Sequence, residues 1–307
     1  MTTKELEAYG LGLLAITAFA LTLPLTKLLV DNMHALEIGI GRSFIAAVPA
    51  AIILCWKKVE LPNGKQFIKL LSIAVGIVFV FPILTAVGMN YLPSSHGGAV
   101  LAALPLSTAM FGRVVSKEKP GAQFWVLSMT GFLIVLVYTV VSSGMESLYV
   151  GDMALLIAVL FAGYGYAQGG TLSREMAGWK VICWVLVVSL PLLSLMEVVI
   201  FDAASFLSFE AMDVFALLFL ALINTLFGFF AWYRALALGG ISKISQIQLL
   251  QPFITYAFAI LLLQEAFSLL TLAVCVGVIY IVWLTKKQDV QHVAAPKPIP
   301  LIVTVKD

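Results

Sequence analysis

The chain has 307 residues, of which 62% are hydrophobic and 11% charged. Soluble domains carry about 25% charged residues because their surfaces face water, so this composition excludes a soluble globular protein and points to a surface in contact with lipid. The net charge of +2 offers no basic footprint for a nucleic-acid partner.

Hydrophobic sequence begins near Tyr9 and runs to about Val30. That is too long for the core of a cleaved signal peptide, so it reads as a first spanning helix. A spanning helix needs about 20 apolar residues. Such runs predict helices over 9–30, 34–55, 70–91, 94–115, 122–142, 151–172, 179–201, 213–236, 242–263 and 267–285. The tightest junctions fall at Pro93, Gly239-Gly240 and Gln264-Glu265. The expected fold is an all-α polytopic membrane protein of ten transmembrane helices. Cys55, Cys183 and Cys275 lie in apolar runs without metal-type spacing, so neither a disulfide framework nor a metal centre is expected, and no cofactor is implied. The segment 286–307, with its Ala-Ala-Pro-Lys-Pro-Ile-Pro run, reads as a loose cytoplasmic tail.

Charge placement tests the helix count, because Lys and Arg collect in cytoplasmic loops. With both termini in the cytoplasm, all of the 18 basic residues except Lys27 and Arg42 fall on the inner side. The outer loops carry Asp31, Glu146, Asp202, Glu210 and Asp213. A miscounted helix would scramble this separation downstream of the error.

A shift of 147 positions lays Ser95 on Ser242, Pro105 on Pro252, Thr108 on Thr255 and Glu118 on Glu265. Two related units are therefore expected, 9–142 and 151–285. Five helices per unit is odd, so the second copy enters the membrane from the opposite side. Inverted repeats of this kind belong to alternating-access transporters, with the substrate held between the halves near the midplane.

The segments 84–137 and 232–282 resemble the EamA type of the drug/metabolite transporter superfamily. Each has small residues after a helix end, a mid-helix proline (Pro105, Pro252) and a junction glutamate (Glu118, Glu265). Lys27 and Arg42 extend the match. The glycine that commonly precedes the junction glutamate is replaced by Lys117 and Gln264, and His96 stands opposite Lys243. The resemblance implies a ten-helix secondary carrier, typically an exporter of amino acids or related metabolites, in a bacterial cytoplasmic membrane.

Polar groups inside a bilayer are costly, so those present are candidates for a pathway. Gln248, Gln251 and Thr255 share one face of the ninth span, and the glutamine amides can both donate and accept; Gln246 points away from that face. Tyr164 and Gln168 share a face of the sixth span, and Asn224 and Trp232 a face of the eighth, where Trp232 also suits an interfacial aromatic belt. Arg42 lies about 12 Å inside the second span at 1.5 Å per residue. Its planar fork suits a substrate carboxylate, or it serves as a fixed partner for a carboxylate or helix end; Glu37 is turned too far round the helix to serve. Lys27 sits where it can snorkel outward. His96 opens the fourth span as a hydrogen-bonded mouth residue able to exchange protons. Glu118 and Glu265 suit backbone donors at the start of the next helix.

These features favour a transporter of small polar metabolites in the lipid bilayer, as monomer or homodimer, with proton coupling and facilitated diffusion both open. An uptake carrier of the same fold is the nearest alternative. An enzyme would need a nucleophile–base or metal set, and the three histidines, His34, His96 and His292, form no such cluster. A receptor without transport is the remaining class.

Overall fold

The computed structural model describes residues 3–143, 150–200, 209–263, 269–288 and 290–291. They form α1 (Thr3–Val30), α2 (Ala35–Trp56), α3 (Gly64–Tyr91), α4 (94–115), α5 (Ala122–Ser143), α6 (Val150–Leu172), α7 (Gly178–Ile200), α8 (Ala211–Gly239), α9 (241–263) and α10 (Leu269–Lys286). Eight of them, among the described residues, are long and apolar enough to cross a membrane; the apolar parts of α5 and α10, Ala122–Tyr138 and Val276–Thr285, are shorter. Side chains such as Ile52, Val114, Val198 and Leu261 stand exposed on the outside, as a lipid-facing surface requires.

Several helices are irregular for reasons written in the sequence. Pro24 has no N–H to give the carbonyl of Ala20. The helix turns at Leu21, and the hydroxyl of Thr255 donates to the Ala20 carbonyl at 2.9 Å. Pro82 likewise frees the Val78 carbonyl, which takes the Ser43 hydroxyl at 2.9 Å. In both places a proline opens a backbone acceptor and a neighbouring helix fills it.

The irregularities recur at the offset of the sequence repeat. A widened π-type stretch occupies Val75–Val80 in α3 and Phe219–Phe227 in α8; shifting the first by 147 places it on 222–227. A tight 3₁₀ turn precedes the mid-helix proline in α4, at Leu101–Ala103, and in α9, at Gln246–Leu250. Packing follows the same pattern. Helix α2 packs on its counterpart α7, α5 on α10 and α4 on α9, and the α1–α8 contact is matched by α6 on α3. Small residues permit the closest approaches: a Cβ on Gly76 would lie 2.5 Å from the Phe161 carbonyl of α6.

Between α8 and α9 the chain reverses at Gly240, whose φ of 87° suits glycine. The expected loose tail is partly ordered: Val290–Gln291 pair antiparallel with Lys119–Pro120. Positions 292–307 lie outside the described residues.

Candidate functional site

Helix α1 is the hub of the interior. Phe19 stacks with Tyr166 of α6 and meets Phe229 and Trp232 of α8, with ring centroids 6.4, 5.2 and 6.2 Å away. Tyr166 in turn lies 5.6 Å from Trp232. One turn further along α1, Thr22 accepts a 2.7 Å hydrogen bond from Asn224. The shared face of Asn224 and Trp232 therefore looks onto α1. Trp232 is fully buried, which corrects its placement in an interfacial belt; its Nε1–H meets no acceptor.

Arg42 is only 4% exposed. Its guanidinium lies 6.0 Å from the Phe81 ring centre and within electrostatic reach of Tyr166. Its Nε lacks a partner, and among the described residues no carboxylate comes within ion-pair distance of it. Glu37 is engaged elsewhere, accepting from the His34 backbone at 2.9 Å.

The glutamines of α9 form a second polar group. Gln248 and Gln251 are 1% and 6% exposed, and Gln246, expected to point away, is 1% exposed. Both amide atoms of Gln246 and Gln248, and the Gln251 oxygen, have no hydrogen-bond partner. An unmatched buried amide costs about 1–3 kcal/mol, so three in adjacent turns call for a reason. Thr255, by contrast, is committed to Ala20.

Other predicted site residues hold structure. Tyr164 donates to Ser72 at 3.0 Å and packs edge-on against Phe111, tying α6 to α3 and α4. Gln168 is 8% exposed two residues beyond Tyr166. Lys27 does not snorkel: its ammonium donates to the Met89 carbonyl at 3.0 Å, where α3 leaves its last carbonyls unmatched. Pro105 and Pro252 follow the two 3₁₀ turns, and the Pro105 carbonyl accepts from Ser245 at 3.3 Å.

Glu118 is 1% exposed. It accepts from the backbone N–H groups of Ile241 and Ser242 at 2.9 and 2.8 Å and from Arg174 at 2.9 Å. It meets donors at a helix start, but the helix is α9 of the other repeat and not the next one, which corrects the expectation. Glu265 lies outside the described residues.

Sequence reasoning missed two carboxylates. Asp152 at the start of α6 is buried against His96, Oδ1 to Nε2 2.7 Å. Glu197 projects from α7 toward Gly41 and lines a cavity of about 330 Å³ with Glu37, Phe44 and Leu217; its Oε2 is buried without a partner. Each was visible only as an isolated acid in or beside an apolar run.

The EamA-like transporter family matches residues 6–140 and, a second time, 149–286. The chain belongs to this family. It is 35% identical over 268 residues to the uncharacterized transporter YdeK of Bacillus subtilis, covering 87% of this chain and 93% of that one. It is 26% identical over 262 residues to the WAT1-related protein At3g02690, chloroplastic, of Arabidopsis thaliana, covering 79% and 63%. A solved crystal structure shares the fold with a TM-score of 0.71 at 13% identity, over 91% of this chain and 98% of that one. The chain is thus a multi-pass membrane transporter of the EamA family, consistent with a metabolite carrier.

Proposed function

We propose that the chain is a secondary transporter that exports amino acids or related small polar metabolites from a bacterial cytoplasm. It works by alternating access between two inverted five-helix repeats, 9–142 and 151–285, with both termini and the 286–307 tail inside. The observation that carries this reading is the set of buried polar groups with no protein partner. Arg42 on α2 and Gln246, Gln248 and Gln251 on α9 are all 6% exposed or less, and each has at least one unmatched polar atom. In a bilayer such groups mark a solute pathway. A substrate carboxylate would satisfy Arg42, and amide or amino groups would satisfy the glutamines. Tyr166, Trp232, Asn224 and Gln168, buried or nearly so in the same bundle, would line the path of the solute. Lys27, Pro105, Pro252, Glu118 and Glu265 act in gating and in holding the repeats together.

The test is transport by the purified protein in liposomes. Labelled amino acids and related metabolites are offered from either side, with and without an imposed proton gradient. The gradient arm is included because His96–Asp152 is a buried imidazole–carboxylate contact. Saturable flux of a carboxylate-bearing solute, lost in Arg42→Met and reduced in Gln248→Met, is expected. No flux across the whole panel in either orientation would overturn the reading.

A further inference from the structure

A cavity of about 560 Å³ opens at the lysine-rich end of the bundle, between the α2–α3 connection and the start of α7. Lys57, Lys58 and Lys180 line it with Glu60, Trp179 and Trp184. Glu175 also borders it but is bound to Lys69 at 2.6 Å. Three lysines against one uncommitted glutamate leave the cavity net positive.

Its walls are fixed by the backbone. Helix α2 ends with Lys58 in the left-handed region at φ 47°, and the Val59 N–H closes on the Leu54 carbonyl at 3.1 Å, a helix-ending arrangement that holds both lysines at the negative end of the helix dipole. Helix α3 begins with a reciprocal cap, Asn63 and Gln66 each accepting the other's backbone N–H at 3.0 and 3.1 Å. The Lys69–Glu175 pair ties that helix start to the opposite wall. Lys57 and Lys180 are each braced over a tryptophan ring, 5.3 Å from Trp56 and 5.7 Å from Trp179.

The helix that delivers Lys57 and Lys58 to the cavity, α2, also presents Val48, Ile52 and Trp56 four residues apart, 48%, 61% and 78% exposed. A positively charged cavity lined by tryptophans is thus joined, through the Lys57–Trp56 contact, to an exposed apolar stripe along one helix. We propose that this is a binding site for an anionic phospholipid. The phosphate would lie among Lys57, Lys58 and Lys180, and an acyl chain along Val48, Ile52 and Trp56. A soluble phosphate shares the headgroup chemistry but would have no use for the stripe. This proposal is independent of what the central site carries.

Tryptophans in the cavity supply the readout. The full chain is reconstituted in mixed vesicles containing brominated phosphatidylglycerol or brominated phosphatidylcholine, and quenching of tryptophan fluorescence gives the relative affinity. Stronger quenching by the anionic lipid is expected. The preference should fall roughly fivefold for each lysine replaced by alanine, from about 1 kcal/mol per basic residue near an anionic surface. The triple replacement by arginine should retain it, which separates loss of charge from loss of fold. An unchanged preference in the triple alanine variant would overturn the proposal. Competition by millimolar glycerol 3-phosphate that abolishes the preference would also overturn it, in favour of a soluble phosphate.

Discussion

Removing the Glu118 carboxylate should unfasten one repeat from the other. The group is buried and accepts two backbone N–H bonds at 2.9 and 2.8 Å and one from Arg174 at 2.9 Å. Hydrogen bonds to a charged group contribute about 1.5–3 kcal/mol each. The Arg174 side chain is 28% exposed, and ion pairs that reach water contribute only about 0–1 kcal/mol. The two backbone bonds therefore dominate, and Glu118→Ala should cost about 3–5 kcal/mol. Glu118→Gln keeps one acceptor oxygen but sets an amide against the second N–H, and should cost about half as much. Arg174→Ala should cost about 1 kcal/mol or less. Unfolding of purified protein in mixed micelles, followed by circular dichroism against denaturant, measures all three. If Glu118→Ala loses no more stability than Arg174→Ala, the backbone bonds to α9 are not what the glutamate is for, and the reasoning fails.

Gln248→Met should leave thermal stability in detergent unchanged or raise it, since it removes an unmatched buried amide, while lowering flux in liposomes; a large loss of stability would show the amide to be structural. Ser43→Ala, which strips the Val78 carbonyl of its partner, should cost about 1–2 kcal/mol in the same unfolding assay. Gly76→Ala forces the α3 and α6 backbones apart and should cost about 1–3 kcal/mol. Gly277→Ala meets no atom within 4 Å and should instead gain about 0.5–1 kcal/mol from helix propensity; the pair gives opposite signs for the same added methyl.

Most helix ends expected from hydropathy fall within three residues of those observed, as in 151–172 against Val150–Leu172, but the first and third helices begin six residues early, at Thr3 and Gly64, because their first turns are polar and hydropathy does not register them. Bilayer thickness dictates the length of an apolar run, so one dimension of the fold is written directly in composition. The repeat was legible for a related reason: proline and the turn before it act locally, and Pro105 and Pro252 sit after matching 3₁₀ turns. Partnerships between helices were not legible. His96 and Asp152 are 56 positions apart, and nothing periodic connects them. Gln246 is buried although it lies off the face of Gln248, Gln251 and Thr255, because the 246–250 turn packs against α1, α4, α5 and α10 together. Lys27 looked free to snorkel because a carbonyl acceptor at a helix end has no sequence signature of its own.

Glu118 also sets an order of events during synthesis. Its two backbone partners lie 123 and 124 positions further along the chain. At about 5–20 residues per second, the carboxylate waits roughly ten seconds before α9 is made. Arg174, made partway through the wait, is available to pair with the acid before the α9 backbone arrives. A late step of assembly is then the arrival of the α9 start on a site already charged to receive it. A chain cut between the repeats should mature only when the second part is supplied in the same membrane.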